Sequence, residues 1–123
     1  MPEIKPTDLT PADHLDACVE SCNHCAQICL SQAMEHCLIQ GGKHIEPQHF
    51  GLMLGCAEIC RATADYLIQS PILHNKVCGL CAEVSEASAH SCAEVGDMQI
   101  CVDTCRHCAD LCRRMSLSTP IPA

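Results

Sequence analysis

The chain has 123 residues, a formal net charge of −8 and 48% apolar residues, enough for one domain with a modest core. Seven Lys and Arg against fifteen acids leave too few cations to engage nucleic-acid phosphates, and no apolar run approaches the length of a membrane span. The abnormal features are 14 cysteines and a lone Phe and Tyr, with no Trp. A core is therefore expected to draw on Leu, Ile, Val and Ala, and on Cys itself, which packs as a small hydrophobe while its thiol is protonated.

The opening MPEIKPTDLTPADHLDACVE has no basic region followed by an apolar one, so a cytoplasmic location is expected. In that reducing compartment, many cysteines read as metal or redox chemistry rather than as a disulfide framework. Thr10-Pro11-Ala12-Asp13 reads as a helix start: a capping hydroxyl, proline at the first helical position and an acid in the first turn. The helix predicted from it covers 11–40 and stops at Gly41-Gly42. On it, CVESCNHCAQIC (18–29) spaces four cysteines by four, three and four residues. At about 100° per residue, Cys22, Cys25 and Cys29 fall within roughly 40° of Cys18, whereas Cys37 falls about 100° away, on the flank.

Pro47 opens a second helix, 47–69, carrying Cys56 and Cys60. Ser70-Pro71 opens a third, 71–95, carrying Cys78, Cys81 and Cys92, with Ser85 and Ser88 on the same stripe and Gly96 as its stop. Asp97 is placed to cap a fourth, 98–117, where CVDTCRHCADLC (101–112) repeats the first stripe as Cys101, Cys105, Cys108 and Cys112. The tail STPIPA is expected to fray. Four helices with short connections predict an all-α, antiparallel up-down-up-down four-helix bundle, one domain over 1–123, with a Cys-lined core. Glu20, Asn23, His24, Gln27, Asp103, Arg106, His107 and Asp110 fall opposite the stripes, so those two histidines are expected to face water rather than the thiols.

One or two buried cysteines need no function, but 14 carry an oxidation liability that Leu or Ala would avoid. Bridging residues i and i+4 of one helix would distort it. The pairs Cys22/Cys25, Cys78/Cys81 and Cys105/Cys108 resemble redox CxxC motifs but lie mid-helix, away from the N-terminus that stabilises a redox thiolate. Zinc favours isolated tetrahedral sites, and iron–sulfur clusters favour ligands in loops. Monovalent copper is soft and selects thiolate, so neighbouring sulfurs could share ions along a tube. Buried thiolates repel one another, so the empty protein should hold neutral thiols, and each Cu(I) should displace protons until the core is near neutral. Other soft groups lie towards the bundle ends: His14, His74 and Met115 at one, His36, His49, Met53 and Met98 at the other. Rings of His and Met there could pass copper inward.

With CVESCNHCAQIC, GCAEICRATADYL, SPILHNKVCGLCAEV and CVDTCRHCADLC, the chain resembles the copper storage proteins over nearly its whole length. The resemblance implies a four-helix bundle whose inward cysteines bind many Cu(I) ions, without enzymatic activity. It also implies a cytosolic branch of the family and assembly as a homotetramer, with a copper chaperone or small-thiol donor as partner. Ser85 and Ser88 depart from the cysteine-richer relatives; hydroxyl is a poor ligand for Cu(I), so capacity should fall there. Three rival readings remain. The thiols could hold another soft metal, as zinc or an iron–sulfur cluster. A thiol redox enzyme or sensor would need an exposed cysteine of depressed pKa. A di-iron bundle enzyme would need two Glu-x-x-His motifs, and the chain offers Glu46-Pro47-Gln48-His49 alone.

Overall fold

The structure, a computed structural model, describes residues 11–70 and 72–118. The expected cap at Thr10 and the tail from residue 119 lie outside the described residues. Helix α1 covers Pro11–Ser31, and its rod continues through a π-helical segment, Gln32–Cys37, and a last α turn, Leu38–Gln40. A 3₁₀ turn, Gly42–Ile45, leads to α2, Pro47–Gln69; α3 covers His74–Val95 and α4 Gln99–Leu117.

The stops are those the glycines dictate. Gly41, Gly42 and Gly96 have φ of 67°, 56° and 87°, a region that side chains with a Cβ rarely enter. The Gly41 amide closes the first rod on the Cys37 carbonyl at 2.9 Å, and the Gly96 amide closes α3 on Cys92 at 3.1 Å. Pro47 stands in the first turn of α2, where its missing N–H costs nothing.

Two starts differ from expectation. α3 begins at His74, after a turn at Ile72 and Leu73, rather than at residue 71. α4 begins at Gln99, one residue later than expected. Asp97 does not cap it: at φ 56° its backbone makes the left-handed turn, and Met98 takes the capping position with no side-chain hydrogen bond. Asp is among the few residues that tolerate this conformation.

α1 packs on α2 and α4, and α3 packs on α2 and α4, so the helices close into a ring. Side-chain pairings give the directions. Cys18 meets Cys112 while Cys29 meets Cys105, so α1 and α4 run antiparallel. Cys18 meets Cys78 while Cys22 meets Cys81, so the diagonal pair α1 and α3 runs parallel. This is the up-down-up-down bundle.

All 14 cysteines are free and fully buried. Beside them lie Ala26, Ala57, Ala82, Ala89 and Ala109, all nearly or fully buried, each directly after a stripe residue in sequence. A methyl at the seam lets two helix backbones approach closely, which keeps the central space narrow enough for thiols to fill. The expected contribution of large aliphatics is small. Leu67 and Val102 are buried, but among the described residues no isoleucine is, and Ile39, Ile68, Ile72 and Ile100 are more than half exposed. The core is sulfur, alanine methyl and the thioethers of Met53, Met98 and Met115.

Cys37 also departs from expectation, with a physical cause. A regular helix would leave it on the flank. Each π turn holds about one residue more than an α turn, so the segment Gln32–Cys37 slips the register by one residue, about 100°. That rotation carries Cys37 onto the buried stripe, where its exposure is 0%.

Two outcomes follow for thiol accessibility. In the folded metal-free protein a bulky thiol reagent should react slowly at every cysteine, and denaturant should expose all 14. Deleting the half-exposed Met34 should restore a regular helix and leave Cys37 on the buried stripe, because one residue fewer returns it to the angle of Cys18, so no fast-reacting thiol should appear. A newly fast-reacting thiol in a folded deletion variant would refute the register argument.

Candidate metal centre

Each wall contributes its thiols through helical spacing, and the sulfurs meet in the middle. Near one end Cys18 Sγ lies 3.5 Å from Cys112 and 3.9 Å from Cys78. Cys112 is also 3.5 Å from Cys22, which lies 3.8 Å from both Cys81 and Cys108. Cys60 lies 3.7 Å from Cys81, and 3.9 Å from Cys108 and from Cys56. Cys25 is 3.9 Å from Cys56 and from Cys29, and 3.8 Å from Cys105, which is 3.5 Å from Cys29. Sulfur therefore follows sulfur along the bundle through eleven of the cysteines. Beyond them Cys92 and Cys101 interact with each other and share a cluster with Cys37, Met53 and Met98.

The chain of contacts contains compact ligand groups. Cys22, Cys81, Cys108 and Cys112 form one set of four, and Cys25, Cys29, Cys56 and Cys105 another. Cys18, Cys78 and Cys112 form a set of three, as do Cys25, Cys60 and Cys108. Within each, the sulfurs lie within 4.8 Å of one another. An ion bound to sulfur at about 2.3 Å holds two ligands roughly 4.6 Å apart, three roughly 4.0 Å apart and four roughly 3.8 Å apart. The spacing therefore suits low-coordinate and tetrahedral soft ions alike. Cys25, Cys108 and Cys112 each belong to two groups, as bridging sulfurs between neighbouring ions must.

Charge sets the resting state. Burial raises a thiol's pKa because the thiolate loses its water. Hydrogen bonding between sulfurs then divides the set. Cys108 is held well below the ordinary thiol range because Cys112, then Cys22, Cys25 and Cys60, can donate to it. Cys112 is driven far up, chiefly by its bond to Cys108, and Cys25 far up, chiefly by Cys105. One sulfur can thus ionise only while its neighbours keep their protons. Emptying the whole column of protons requires cations to replace them.

Ser85 and Ser88 stand in the column as expected, both fully buried. Ser85 Oγ lies 3.6 Å from Cys60, 3.8 Å from Cys56 and 3.9 Å from Cys81. Ser88 Oγ lies 3.6 Å from Cys105. The hydroxyls satisfy their hydrogen bonds on sulfur and interrupt the soft donors on the α3 wall.

The groups expected at the ends divide. His74 is fully buried with Nε2 3.0 Å from Ser118 Oγ, Met115 packs within the thiol cluster, and His14 is half-buried. At the other end Cys37 Sγ lies 3.6 Å from Met53 Sδ, 3.8 Å from Met98 Sδ and 3.8 Å from His49 Nε2. His36 is half-buried, its ring edge-on to that of His44 at 5.1 Å. His24 and His107 are exposed, as the angular argument required. His44 is the residue sequence reasoning missed: it groups with Cys37 and His49 within 4.8 Å. It sits on a 3₁₀ turn, where helical periodicity carries no signal. Only its closeness in sequence to His36 and His49 could have marked it.

Comparison with known proteins accords with this centre. The family model described as copper storage protein matches residues 11–117. The crystal structure of the Nmul_A1745 protein from Nitrosospira multiformis superposes with a TM-score of 0.83 at 47% identity, over 85% of this chain and 96% of that one. No curated protein matches significantly. With its bundle fold, buried thiol groups and family match over 11–117, this chain belongs to the copper storage protein family.

Proposed function

We propose that this protein sequesters many Cu(I) ions on the thiolates of its central column, without catalysing a reaction, and that it does so in the cytosol. The observation that carries the reading is the uninterrupted run of sulfur–sulfur distances between 3.5 and 3.9 Å contributed by all four helices. The proposed ligands are Cys18, Cys22, Cys25, Cys29, Cys56, Cys60, Cys78, Cys81, Cys92, Cys101, Cys105, Cys108 and Cys112, with Cys37 at the far end. Thiolate suits monovalent copper better than any hard ion. Replacing each thiol proton by one Cu(I) leaves the filled interior near neutral, which a dry core tolerates and a column of bare thiolates would not. Fourteen free thiols also favour a reducing compartment. Among the described residues no helix is long and apolar enough to cross a membrane.

His14, His74 and Met115 at one end, and His36, His49, Met53 and Met98 at the other, are proposed points of admission, where a copper chaperone or small-thiol carrier would deliver its ion. The exposed Ile39, Ile68, Ile72, Ile100 and Leu117 support association of copies into a homo-oligomer, a tetramer by analogy with the family. A second reading, zinc in the two groups of four cysteines, has their tetrahedral size in its favour. It leaves the bridging between groups unexplained.

Anaerobic titration of the metal-free protein with Cu(I), followed by gel filtration and metal analysis, should approach one ion per thiol. It should release about one proton per ion and weaken as pH falls and protons compete for sulfur. One ion or none would refute storage, and zinc that resists displacement by Cu(I) from an all-sulfur shell would favour the second reading. Ser85→Cys should raise the copper count by about one ion, because it restores a soft donor beside Cys56, Cys60 and Cys81, while Ser85→Ala should leave the count unchanged. Equal counts in all three proteins would show that the α3 gap does not limit capacity.

A further inference from the structure

The donors around Cys37 differ in kind from those of the column. The nearest sulfurs to Cys37 are the thioethers of Met53 and Met98, which have no proton to exchange. Its other partner is imidazole. His49 is 4% exposed, and its Nδ1 is 2.8 Å from Ser91 Oγ, which leaves Nε2 directed at Cys37 Sγ. An imidazole held from behind on one nitrogen, with the other aimed at a neighbouring donor, is the arrangement of a metal-binding histidine. His44 approaches from the 3₁₀ turn, its ring 6.4 Å from that of His49. His44 Nδ1 and His36 Nε2 are both buried with no hydrogen-bond partner. A buried ring nitrogen left without a partner is costly unless something else meets it.

We propose that Cys37, His44 and His49 form a separate metal site of borderline donor character, which takes one divalent ion of the zinc class while the sulfur column takes Cu(I). The inference rests on the copper reading only for the contents of that column, and it reassigns Cys37 from copper to this site. Two imidazoles and one thiolate match the preferences of zinc, whereas the column offers thiolate throughout. The three ligand atoms lie within 4.8 Å of one another, and bonds of about 2.0–2.3 Å would draw them to roughly 3.5 Å by small side-chain rotations. A cleft of about 510 Å³ reaches His49 from outside, lined by Glu46, Glu94, His90 and Lys43 among others. Its two carboxylates favour a cation there, and Lys43 partly opposes them. The three ligands also clip together the end of the π segment, the 3₁₀ turn and the first turn of α2, all within thirteen residues of sequence. An ion here would tie down the least regular part of the bundle.

The test uses the full chain with its column first saturated with Cu(I) under anaerobic conditions, then equilibrated with excess Zn(II) and gel-filtered. Metal analysis should find about one zinc retained per chain. Zinc-edge X-ray absorption should show a first shell of imidazole nitrogen with one sulfur. His44→Ala, a change on a turn rather than in the packed core, should lower zinc affinity at least tenfold and leave the copper count unaltered. No retained zinc, an all-sulfur shell, or zinc binding indifferent to His44→Ala would each overturn the proposal. A low copper count would instead overturn the storage reading, and a nitrogen-rich zinc shell in that same sample would still support the separate site.

Discussion

A protonated thiol is nearly apolar and a thiolate is a charge, and the whole bundle depends on cysteine being able to be either. With protons on, fully buried cysteines pack as a hydrophobic core inside the four helices. With protons off and no cation present, the same sulfurs at 3.5 to 3.9 Å would repel one another in a medium that screens poorly. The fold therefore couples ionisation to metal: protons leave when cations replace them, so the charge of the interior need never build up. Alanine seams, Leu67, Val102 and three buried methionines supply apolar contacts between the walls that do not involve the thiols.

The narrowness of the core follows from the same demand. Larger aliphatic side chains would fill a bundle interior with more buried area each, yet they would push the helices apart and separate the sulfurs. The chain places Ala beside the stripe residues and turns Ile39, Ile68, Ile72 and Ile100 outward. Stability is drawn from many small contacts, while shared coordination is made geometrically available. Surface ion pairs add little. Arg113 spans α3 and α4 through Glu86 at 2.6 Å, but both side chains are largely exposed, and such pairs are worth under about 1 kcal/mol.

How much of this was legible in the sequence depended on whether a feature obeyed helical periodicity. The stripes at Cys18 to Cys29 and Cys101 to Cys112, the stops at Gly41 and Gly96, and the outward histidines 24 and 107 all follow from 100° per residue and from backbone sterics. So did the placing of Ser85 and Ser88 among the thiols. What escaped was each place where the chain leaves that rule. Cys37 is inside because a π segment adds a residue to a turn, and nothing in QAMEHC announces it. His44 belongs with Cys37 and His49 because a 3₁₀ turn folds back, which angular bookkeeping along one helix cannot foresee. Asp97 carries a left-handed turn rather than a cap, since the same residue type serves both and only tertiary geometry selects.

The irregularities also concentrate at one end. The π segment, both left-handed glycines of the first turn, the orphaned nitrogens of His36 and His44, and the thioether-lined Cys37 all belong to the segment 32–53. At the opposite end His74 is hydrogen-bonded to Ser118 and the column finishes in the all-thiol group Cys18, Cys78 and Cys112. A π insertion interrupts the regular hydrogen-bond ladder, and such insertions recur where function requires a side chain in a place the α-helix would not put it. Here the displaced side chain is Cys37, and the rotation sets its sulfur against two histidines rather than leaving it at the surface. The two ends of one sulfur column are thus chemically unlike: three thiols close one, with Met115 packed in the same cluster and the His74 ring tied to Ser118, while the other sets a single thiol against two thioethers and imidazole.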